Sequence, residues 1–303
     1  IYMFRNYENC GDNVELLYKN MYKNQTLKKK MIIKSKLKFD KKYKIKDVFD
    51  LLNKVVDSSD PDADFPQIFH GYQTAQAIKD NYFESNRLKD IKIMDLFTNE
   101  EWFLLDNEYK ILYDTTIDKF YGNIECWDWL ILIGLIHDLG KVLVLEEFGG
   151  YDEWFSVGDI YPLGCNFSKS NIYYDKKYHK LCCDDNETIG LGMYKKGCGF
   201  DNVEMTFSHD YYFAEVLKKS NTKLPEEAIY IVQYHSFYAW HSPRNNIRGY
   251  VEFSSKKDWN MLPMLKLFQK ADLYSKKDDL NDRFDYELFD NLIDKYIGEF
   301  IQM

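Results

Sequence analysis

The sequence predicts a mainly α-helical fold, and three observations carry that prediction. Most periodic segments have helical spacing, strand-like alternation is sparse, and Pro or acidic residues stand where helices would begin. The chain has 303 residues and 45% hydrophobic content, including 25 Tyr and 21 Phe. That composition supplies a large core and excludes a disordered chain. A single domain over residues 1–303 is expected.

Five predicted helices carry the chemically interesting side chains. In chain order they are Phe65 to Asn81, Trp127 to Leu145, Met205 to Lys219, Ala228 to Trp240 and Lys257 to Lys276. Pro66 stands near the first position of the first helix, and Pro225 precedes the fourth. The second is apolar on nearly all sides, which is typical of a helix buried in the middle of a domain.

Other features complete the expected architecture. Asp201 with Glu204 predicts the N-terminal cap of the third helix, and Pro263 predicts a kink or the true start of the fifth. Residues 146–200 are expected to form loops and short strands. Asp285 to Phe300 is predicted to be a closing helix.

Charge and composition exclude several function classes. The net charge is −9, although residues 28–46 contain ten Lys and one Asp. That Lys-rich stretch has few aromatic residues, so a solvated face or linker is favoured over a nucleic-acid patch. The apolar stretch Trp127 to Ile136 is about half of the roughly 20 residues that span a bilayer, so no transmembrane helix is expected.

Nothing in the sequence predicts secretion. Residues 1–5 have neither a signal-peptide nor a transit-peptide pattern. The six Cys include no C-x-x-C pair, which indicates a reducing compartment and favours a cytoplasmic location. The neighbouring Cys182 and Cys183 are given no role.

The histidines carry the chemical signal. Four of the six His lie inside predicted helices with apolar neighbours. One such His would usually be a satisfied core residue, but His137-Asp138 lies in the most apolar segment of the chain. Burying an unpaired carboxylate there would cost several kcal/mol, so a cation should face Asp138. A metal ion is the simplest such partner.

Six residues on five predicted helices could converge in the core of a bundle. They are His70, His137, Asp138, His209, His235 and Asp272. If Asp138 bridges, one metal takes His70, His137, Asp138 and Asp272, and a second takes Asp138, His209 and His235. The second metal keeps an open position, as a catalytic metal does, and this donor set suits iron, manganese or zinc. His179 and His241 are interpreted as surface or outer-shell residues.

Nine segments, in one order over nearly the whole chain, carry a family resemblance. They are Phe4 to Tyr7, Asp57 to Asp62, Asp64 to His70, Gly134 to Lys141, Val157 to Asp159, Pro162 to Cys165, Cys198 to Val203, His235 to Tyr238 and Asp272 to Lys276. Together they resemble the myo-inositol oxygenases. The His and His-Asp pattern alone would indicate the broad HD-domain superfamily, whose members are mostly metal phosphohydrolases.

The resemblance implies an HD-domain helical bundle around a mixed-valent Fe(II)/Fe(III) pair held by the six residues above. It implies an oxygenase that uses dioxygen to cleave the ring of myo-inositol to D-glucuronate. Nicotinamide, flavin and haem are not implied, and the sequence has no G-x-G-x-x-G or P-loop for a nucleotide. No nucleic-acid or membrane partner is expected, and a monomer is favoured although the sequence does not give the oligomeric state.

The resemblance also implies a substrate-binding set. It comprises Arg5, Asp57, Ser58, Ser59, Lys141, Gly158, Asp159, His235, Ser236 and Lys276. A neutral polyol needs several carboxylate, hydroxyl, amide and ammonium partners of this kind. Taken singly, Asp57 and Ser59 could be turn residues. Lys141 follows Asp138 by one helical turn, so these two are expected to share a face. The resemblance implies that both act in catalysis.

One departure from the family pattern lies between His70 and His137. Their connection is longer than in the family, which indicates an insertion at about residues 81–126. Its apolar residues predict that it packs on the body or on a second copy of the chain. Two rivals stay open: an HD-domain phosphohydrolase, and a related diiron oxygenase for another small polyol. A scaffold with a vestigial site is disfavoured because all six ligands are present.

Overall fold

The computed structural model describes residues 11–57, 66–182, 190–274 and 284–303, and these are mainly α-helical, as predicted. The N-terminal part contains nine α-helices in these ranges. They are α1 Asp12–Asn24, α2 Leu27–Lys36, α3 Ile45–Leu52, α4 Gln67–Ile78, α5 Asn99–Phe103, α6 Asn107–Leu112, α7 Ile117–Tyr121, α8 Trp129–Ile136 and α9 Glu153–Ser156. A π-helical turn, Lys79–Glu84, extends α4.

Five further helices follow in the C-terminal part. They are α10 His209–Lys219, α11 Glu226–Tyr234, α12 Tyr238–His241, α13 Lys256–Tyr274 and α14 Tyr286–Tyr296. Strands β1 Lys42–Tyr43 and β2 Ile301–Gln302 pair antiparallel, with Lys42 opposite Gln302 and Tyr43 opposite Ile301. This small sheet joins the C-terminal residues to the connection between α2 and α3.

Helix α8 forms the centre of the core, and all of its residues are buried. It crosses α4 closely because Gly134 has no side chain at the contact. A Cβ on Gly134 would lie 2.9 Å from Cα of Ala75, which is closer than packed carbon atoms approach. The crossing brings His70 on α4 toward the C-terminal end of α8.

The predicted continuous helix from Trp127 to Leu145 is wrong. Helix α8 ends at Ile136, His137 and Asp138 form a turn, and a 3₁₀ helix covers Leu139–Val144. Gly140 allows this change, since a Cβ there would lie 2.2 Å from the carbonyl oxygen of His209. Close packing against α10 therefore overrides the uniform apolar pattern.

Two other local predictions also fail. Helix α10 begins after Ser208, whose side chain accepts a hydrogen bond from the Tyr211 amide, so Asp201 and Glu204 do not cap it. The described residues of 146–200 are mostly loops, as predicted, but α9 and short 3₁₀ turns stand where strands were expected. An isolated bridge pairs Pro162 with Met205.

Helix α13 continues through Pro263, which was expected to kink it or to mark its start. A proline has no N–H, so the carbonyl of Trp259 loses its helical donor. The hydroxyl of Tyr113 donates to that carbonyl. Tyr121 accepts from the Met264 amide at 3.2 Å and donates to the Asn260 carbonyl at 2.6 Å. Hydroxyl groups of two tyrosines outside the helix thus form hydrogen bonds with the backbone groups of α13 around Pro263.

Both tyrosines belong to residues 81–126, the segment interpreted as an insertion. Tyr82 of the same segment donates to the Leu267 carbonyl at 2.9 Å, and the rings of Tyr109 and Trp259 stack with centroids 4.0 Å apart. Segment 81–126 therefore packs along α13 as part of the body.

We expect limited trypsin digestion of the native chain to spare segment 81–126, because its tyrosines are anchored along α13. Its exposed cleavage positions include Arg87, Lys89 and Lys92. Lys195 and Lys196, exposed beside a turn, are the internal control. Mass mapping of the first fragments is the measurement, and first cuts within 81–126 would contradict this packing.

The Lys-rich stretch is not uniformly solvated. Lys30 on α2 is buried, and its Nζ lies 2.6 Å from the carbonyl oxygen of Met205 and 2.7 Å from Glu204 Oε2. The rest of the stretch is mostly exposed or half-buried, as expected. Among the described residues, no helix is both long and apolar enough to span a membrane.

Candidate metal centre

The structure brings the six predicted ligands together around the carboxylate of Asp138. His70 lies within α4, His209 is the first residue of α10, and Asp272 lies near the end of α13. His137 and Asp138 follow α8, and His235 follows α11. Three of the six thus sit just past helix ends, where the chain turns a side chain into the core.

The first group of donors surrounds Oδ2 of Asp138. His70 Nε2 lies 2.7 Å from Asp272 Oδ1 and 3.9 Å from Asp138 Oδ2. His137 Nε2 lies 3.3 Å from Asp272 Oδ1 and 3.5 Å from Asp138 Oδ2. His70, His137 and Asp272 lie close enough together to hold one metal ion.

The second group surrounds the other oxygen of the same carboxylate. His209 Nε2 and His235 Nε2 lie 3.3 and 3.5 Å from Asp138 Oδ1. The two Nε2 atoms are 3.2 Å from each other. Asp138 therefore presents one oxygen to each group, which is the arrangement that a bridging carboxylate needs.

The two imidazole rings of the second group need a positive charge between them, because of where their protons lie. His209 Nδ1 lies 2.6 Å from the Ser156 carbonyl, and His235 Nδ1 lies 2.9 Å from the Val232 carbonyl. A carbonyl only accepts, so both Nδ1 atoms carry protons and, in neutral rings, both Nε2 atoms present lone pairs. Two lone pairs at 3.2 Å repel each other unless a cation lies between them.

The electrostatics of the pocket lead to the same conclusion. Burial lowers the pKa of His235, but the charge of Asp210 and the hydrogen bond to Asp138 outweigh it and raise the pKa to about 9. The surroundings of this ring therefore favour a positive charge. A metal ion supplies it to both rings at once, so the residues present fit a bound metal.

The two carboxylates among the ligands stay ionised. Burial would raise the pKa of Asp138, but Lys141 and the surrounding imidazoles hold it well below its usual range. Burial is likewise outweighed at Asp272, where His137 and His70 lower the pKa. The centre therefore offers imidazole nitrogens and carboxylate oxygens, which suit iron, manganese or zinc.

Lys141 lies beside the first group and is buried. Its Nζ is 2.7 Å from Asp138 Oδ2, 2.7 Å from Asp57 Oδ2 and 2.9 Å from Gln67 Oε1. Burial would lower the pKa of Lys141, but Asp138 and Asp57 raise it above its usual range. A permanent ammonium therefore links the central carboxylate to Asp57.

Only some of the remaining predicted substrate residues lie in the part of the chain that the structure describes. Asp159 is buried and accepts from the Tyr18 hydroxyl at 2.7 Å and from Arg244 Nη1 at 2.8 Å. Ser236 is also buried, directly after His235, and its carbonyl accepts from the Ile160 amide at 3.0 Å. That bond keeps the Gly158-Asp159 turn beside the second group. Arg5, Ser58, Ser59 and Lys276 lie outside the described residues.

The two histidines that were left out of the ligand set have different surroundings. His179 stacks with both Phe167 and Tyr174, with ring centroids 4.7 and 5.0 Å away. His241 is fully buried, and its Nε2 lies 2.9 Å from the carbonyl oxygen of His235. Burial and the nearby charge of Lys266 hold the pKa of His241 well below its usual range, so its ring is neutral.

Sequence reasoning missed Asp210, a buried carboxylate that lies beside both rings of the second group. Its Oδ1 lies 3.1 Å from His235 Nδ1 and its Oδ2 lies 3.5 Å from His209 Nδ1. The negative charge of Asp210 raises the pKa of His235, and its Oδ1 accepts from the Ser236 amide at 3.3 Å. The signal was in the chain, because His209-Asp210 repeats the His-Asp dipeptide of residues 137 and 138.

Comparison with known proteins identifies the family. A family model described as Myo-inositol oxygenase matches residues 11–115 and 114–303. Inositol oxygenase of Dictyostelium discoideum is 37% identical over 281 residues, covering 90% of this chain and 80% of that protein. Inositol oxygenase of Homo sapiens is 35% identical over 303 residues, covering 97% of this chain and 88% of its own length.

A plant relative gives the same result. Inositol oxygenase 2 of Arabidopsis thaliana is 36% identical over 284 residues, covering 90% of this chain and 74% of that protein. All six residues of the metal centre lie inside the ranges that the family model matches. The chain therefore belongs to the myo-inositol oxygenase family.

Proposed function

We infer that this protein is an inositol oxygenase that uses dioxygen to cleave the ring of myo-inositol to D-glucuronate. The observation that carries the inference is the carboxylate of Asp138, which presents one oxygen to each of two donor groups. Family membership favours an oxygenase over the metal phosphohydrolase that a similar donor set could serve. No observation supports a different polyol.

Two iron ions, in a mixed-valent Fe(II)/Fe(III) pair, are the proposed cofactor. By their distances from the two oxygens of Asp138, His70, His137, Asp138 and Asp272 would hold one iron, and Asp138, His209 and His235 the other. When bound, the pair would supply Lewis acidity toward a substrate hydroxyl and electrons for dioxygen. The second group has fewer of the predicted ligands, so a metal held there would leave a position open for substrate.

Lys141 is the proposed catalytic side chain beside the metals. Its ammonium already meets two carboxylates and an amide oxygen in a buried site, so it can exchange one acceptor for a substrate oxygen. By donating to that oxygen, Lys141 would stabilise the alkoxide over the alcohol and make the adjacent C–H bond easier to break.

The substrate-binding set is proposed from family resemblance together with position. Asp57 contacts Lys141, and Gly158, Asp159 and Ser236 lie beside the second donor group. We extend the set to Arg5, Ser58, Ser59, His235 and Lys276. Carboxylate, hydroxyl and ammonium groups of this kind suit a neutral polyol.

The proposal also covers the domain organisation and the location of the protein. The chain forms a single HD-type domain in which segment 81–126 is an insertion. The protein is located in the cytoplasm.

Anaerobic loading of the purified chain with iron is expected to give about two ions per molecule, because six ligands and one bridging carboxylate complete two partial shells. Addition of myo-inositol and air should then consume dioxygen and form glucuronate. Metal analysis and an oxygen electrode are the measurements. A plateau at one ion per chain, or full activity with zinc alone, would contradict the proposal.

A further inference from the structure

A buried polar chain, here called the Glu101 network, joins segment 81–126 to the carbonyl of His235. Its members are Glu101, Lys266, Ser242, His241 and His235, which are all buried. Lys266 Nζ lies 2.6 Å from Glu101 Oε1 and 3.3 Å from Ser242 Oγ. Ser242 Oγ lies 3.0 Å from Nδ1 of His241, whose Nε2 reaches the His235 carbonyl at 2.9 Å.

The carbonyl at the end of this network has a structural need for a donor. Helix α11 ends at Tyr234, and the last carbonyls of a helix have no intrahelical partner. The carbonyl of His235 is also buried, so it must find a donor elsewhere. His241 Nε2 supplies one, and Gln269 Nε2 lies 3.4 Å away as a second. The backbone that carries the His235 imidazole is therefore fixed by these side chains.

The charge that holds the network in place comes from segment 81–126. Lys266 is buried on α13, and Arg248 is buried nearby with its Nη2 3.2 Å from the Glu101 carbonyl. Two buried cations would repel each other without a counter-charge. Glu101 supplies that negative charge, and its Oε2 also accepts from the Thr98 amide in the capping box of α5.

We propose that Glu101 is a positioning residue for the metal ligand His235, acting through Lys266, Ser242 and His241. The segment that lengthens the connection between His70 and His137 thereby becomes part of the support for the second donor group. The proposal rests on the metal centre inferred above. It predicts that removal of the charge of Glu101 changes the geometry at the metal without removing any ligand.

Glu101→Gln is the sharpest variant, because Gln at the third helical position preserves the capping box and side-chain volume while it removes the charge. Thr98→Ala is the matched control, since it breaks the same cap and leaves the Glu101–Lys266 pair intact. Ser242→Ala interrupts the network at a small residue and serves as the second test if Glu101→Gln does not fold.

The probe is Co²⁺ added alone to the metal-free full chain, because its visible absorption reports ligand geometry. We expect Glu101→Gln and Ser242→Ala to shift the absorption band and to release cobalt to a chelator about three- to tenfold faster than the wild type. Thr98→Ala should lower the thermal unfolding midpoint of the metal-free chain and leave the band and the release rate unchanged.

Unchanged band and release rate in both network variants would overturn the positioning role. Equal changes in Thr98→Ala would overturn it too, since the stability of α5 would then account for the effect. A wild-type chain that takes up no cobalt would overturn the metal centre itself. The two failures are therefore distinguishable.

Discussion

An Asp138→Asn chain is expected to hold less than one iron per molecule and to lose at least about 100-fold in turnover. The carboxylate lies between two donor groups, with Oδ1 and Oδ2 each within 3.5 Å of a histidine Nε2. Asn keeps the shape but removes the negative charge that offsets two cations, and its NH₂ group cannot coordinate. Iron content and dioxygen consumption are the measurements.

Two variants control for this substitution. Asp258→Asn makes the same change at a buried aspartate near the start of α13. A helix rises about 1.5 Å per residue, so Asp258 lies roughly 20 Å along α13 from Asp272. His179→Ala removes a histidine that stacks on aromatic rings. Both should keep two irons. Wild-type iron content in Asp138→Asn would refute the bridging assignment.

The gathering of these polar side chains in the core could be predicted because a polar residue in an apolar segment is costly to bury without a partner. His137 and Asp138 interrupt the most apolar run of the chain, and the structure buries both. Starts of helices were also predictable where proline marks them, as at Pro66 and Pro225, which precede α4 and α11 directly. Each of these patterns lies within a short stretch of residues, so a single sequence is enough to detect it.

The ends of the helices could not be predicted in the same way. The apolar pattern continues past Ile136, and the turn at His137 depends on how Gly140 packs against the carbonyl of His209. A close contact between backbone segments that are far apart in sequence produces no periodic pattern in the sequence. The same limit explains the wrong cap at Glu204, which instead forms an ion pair with Lys30 from α2.

Partners that are far apart in sequence were also beyond prediction. Pro263 was expected to kink the helix or to mark its start, but α13 begins at Lys256 and continues through it. The effect of Pro263 depended on Tyr113 and Tyr121, more than 100 residues earlier, which satisfy the freed groups and keep α13 continuous. Asp210 differs from these cases, since the repeated His-Asp dipeptide gave a local signal that was not used.

Lys141→Met is expected to lower turnover by about one to two orders of magnitude while both irons stay bound. A charge-assisted hydrogen bond contributes roughly 1.5 to 3 kcal/mol, and each 1.4 kcal/mol or so of barrier is about tenfold in rate. The ammonium lies 2.7 Å from Asp138 Oδ2 but is not among the metal donors. Its loss therefore removes a proton donor beside the centre and leaves the ligands in place.

Because Lys141 is buried, it is not a helix-end lysine that merely extends into solvent. A lysine at a helix end often extends to water, and its replacement then changes almost nothing. Lys141 is 6% exposed, and three protein oxygens surround its Nζ. Met has a similar length and fills the same space without the charge. The variant thus separates the chemical contribution of the ammonium from the packing contribution of the side chain.

The matched control is Lys30→Met, which removes another buried lysine, one that is paired with Glu204 and the Met205 carbonyl rather than with Asp138. Loss of a buried ion pair should lower the thermal unfolding midpoint of both variants. A lower rate of C–H cleavage should appear in Lys141→Met alone. Single-turnover experiments with iron-loaded protein and saturating myo-inositol measure that rate apart from binding and product release. An unchanged rate in Lys141→Met, or an equal decrease in Lys30→Met, would show that the ammonium acts through stability and has no part in the reaction.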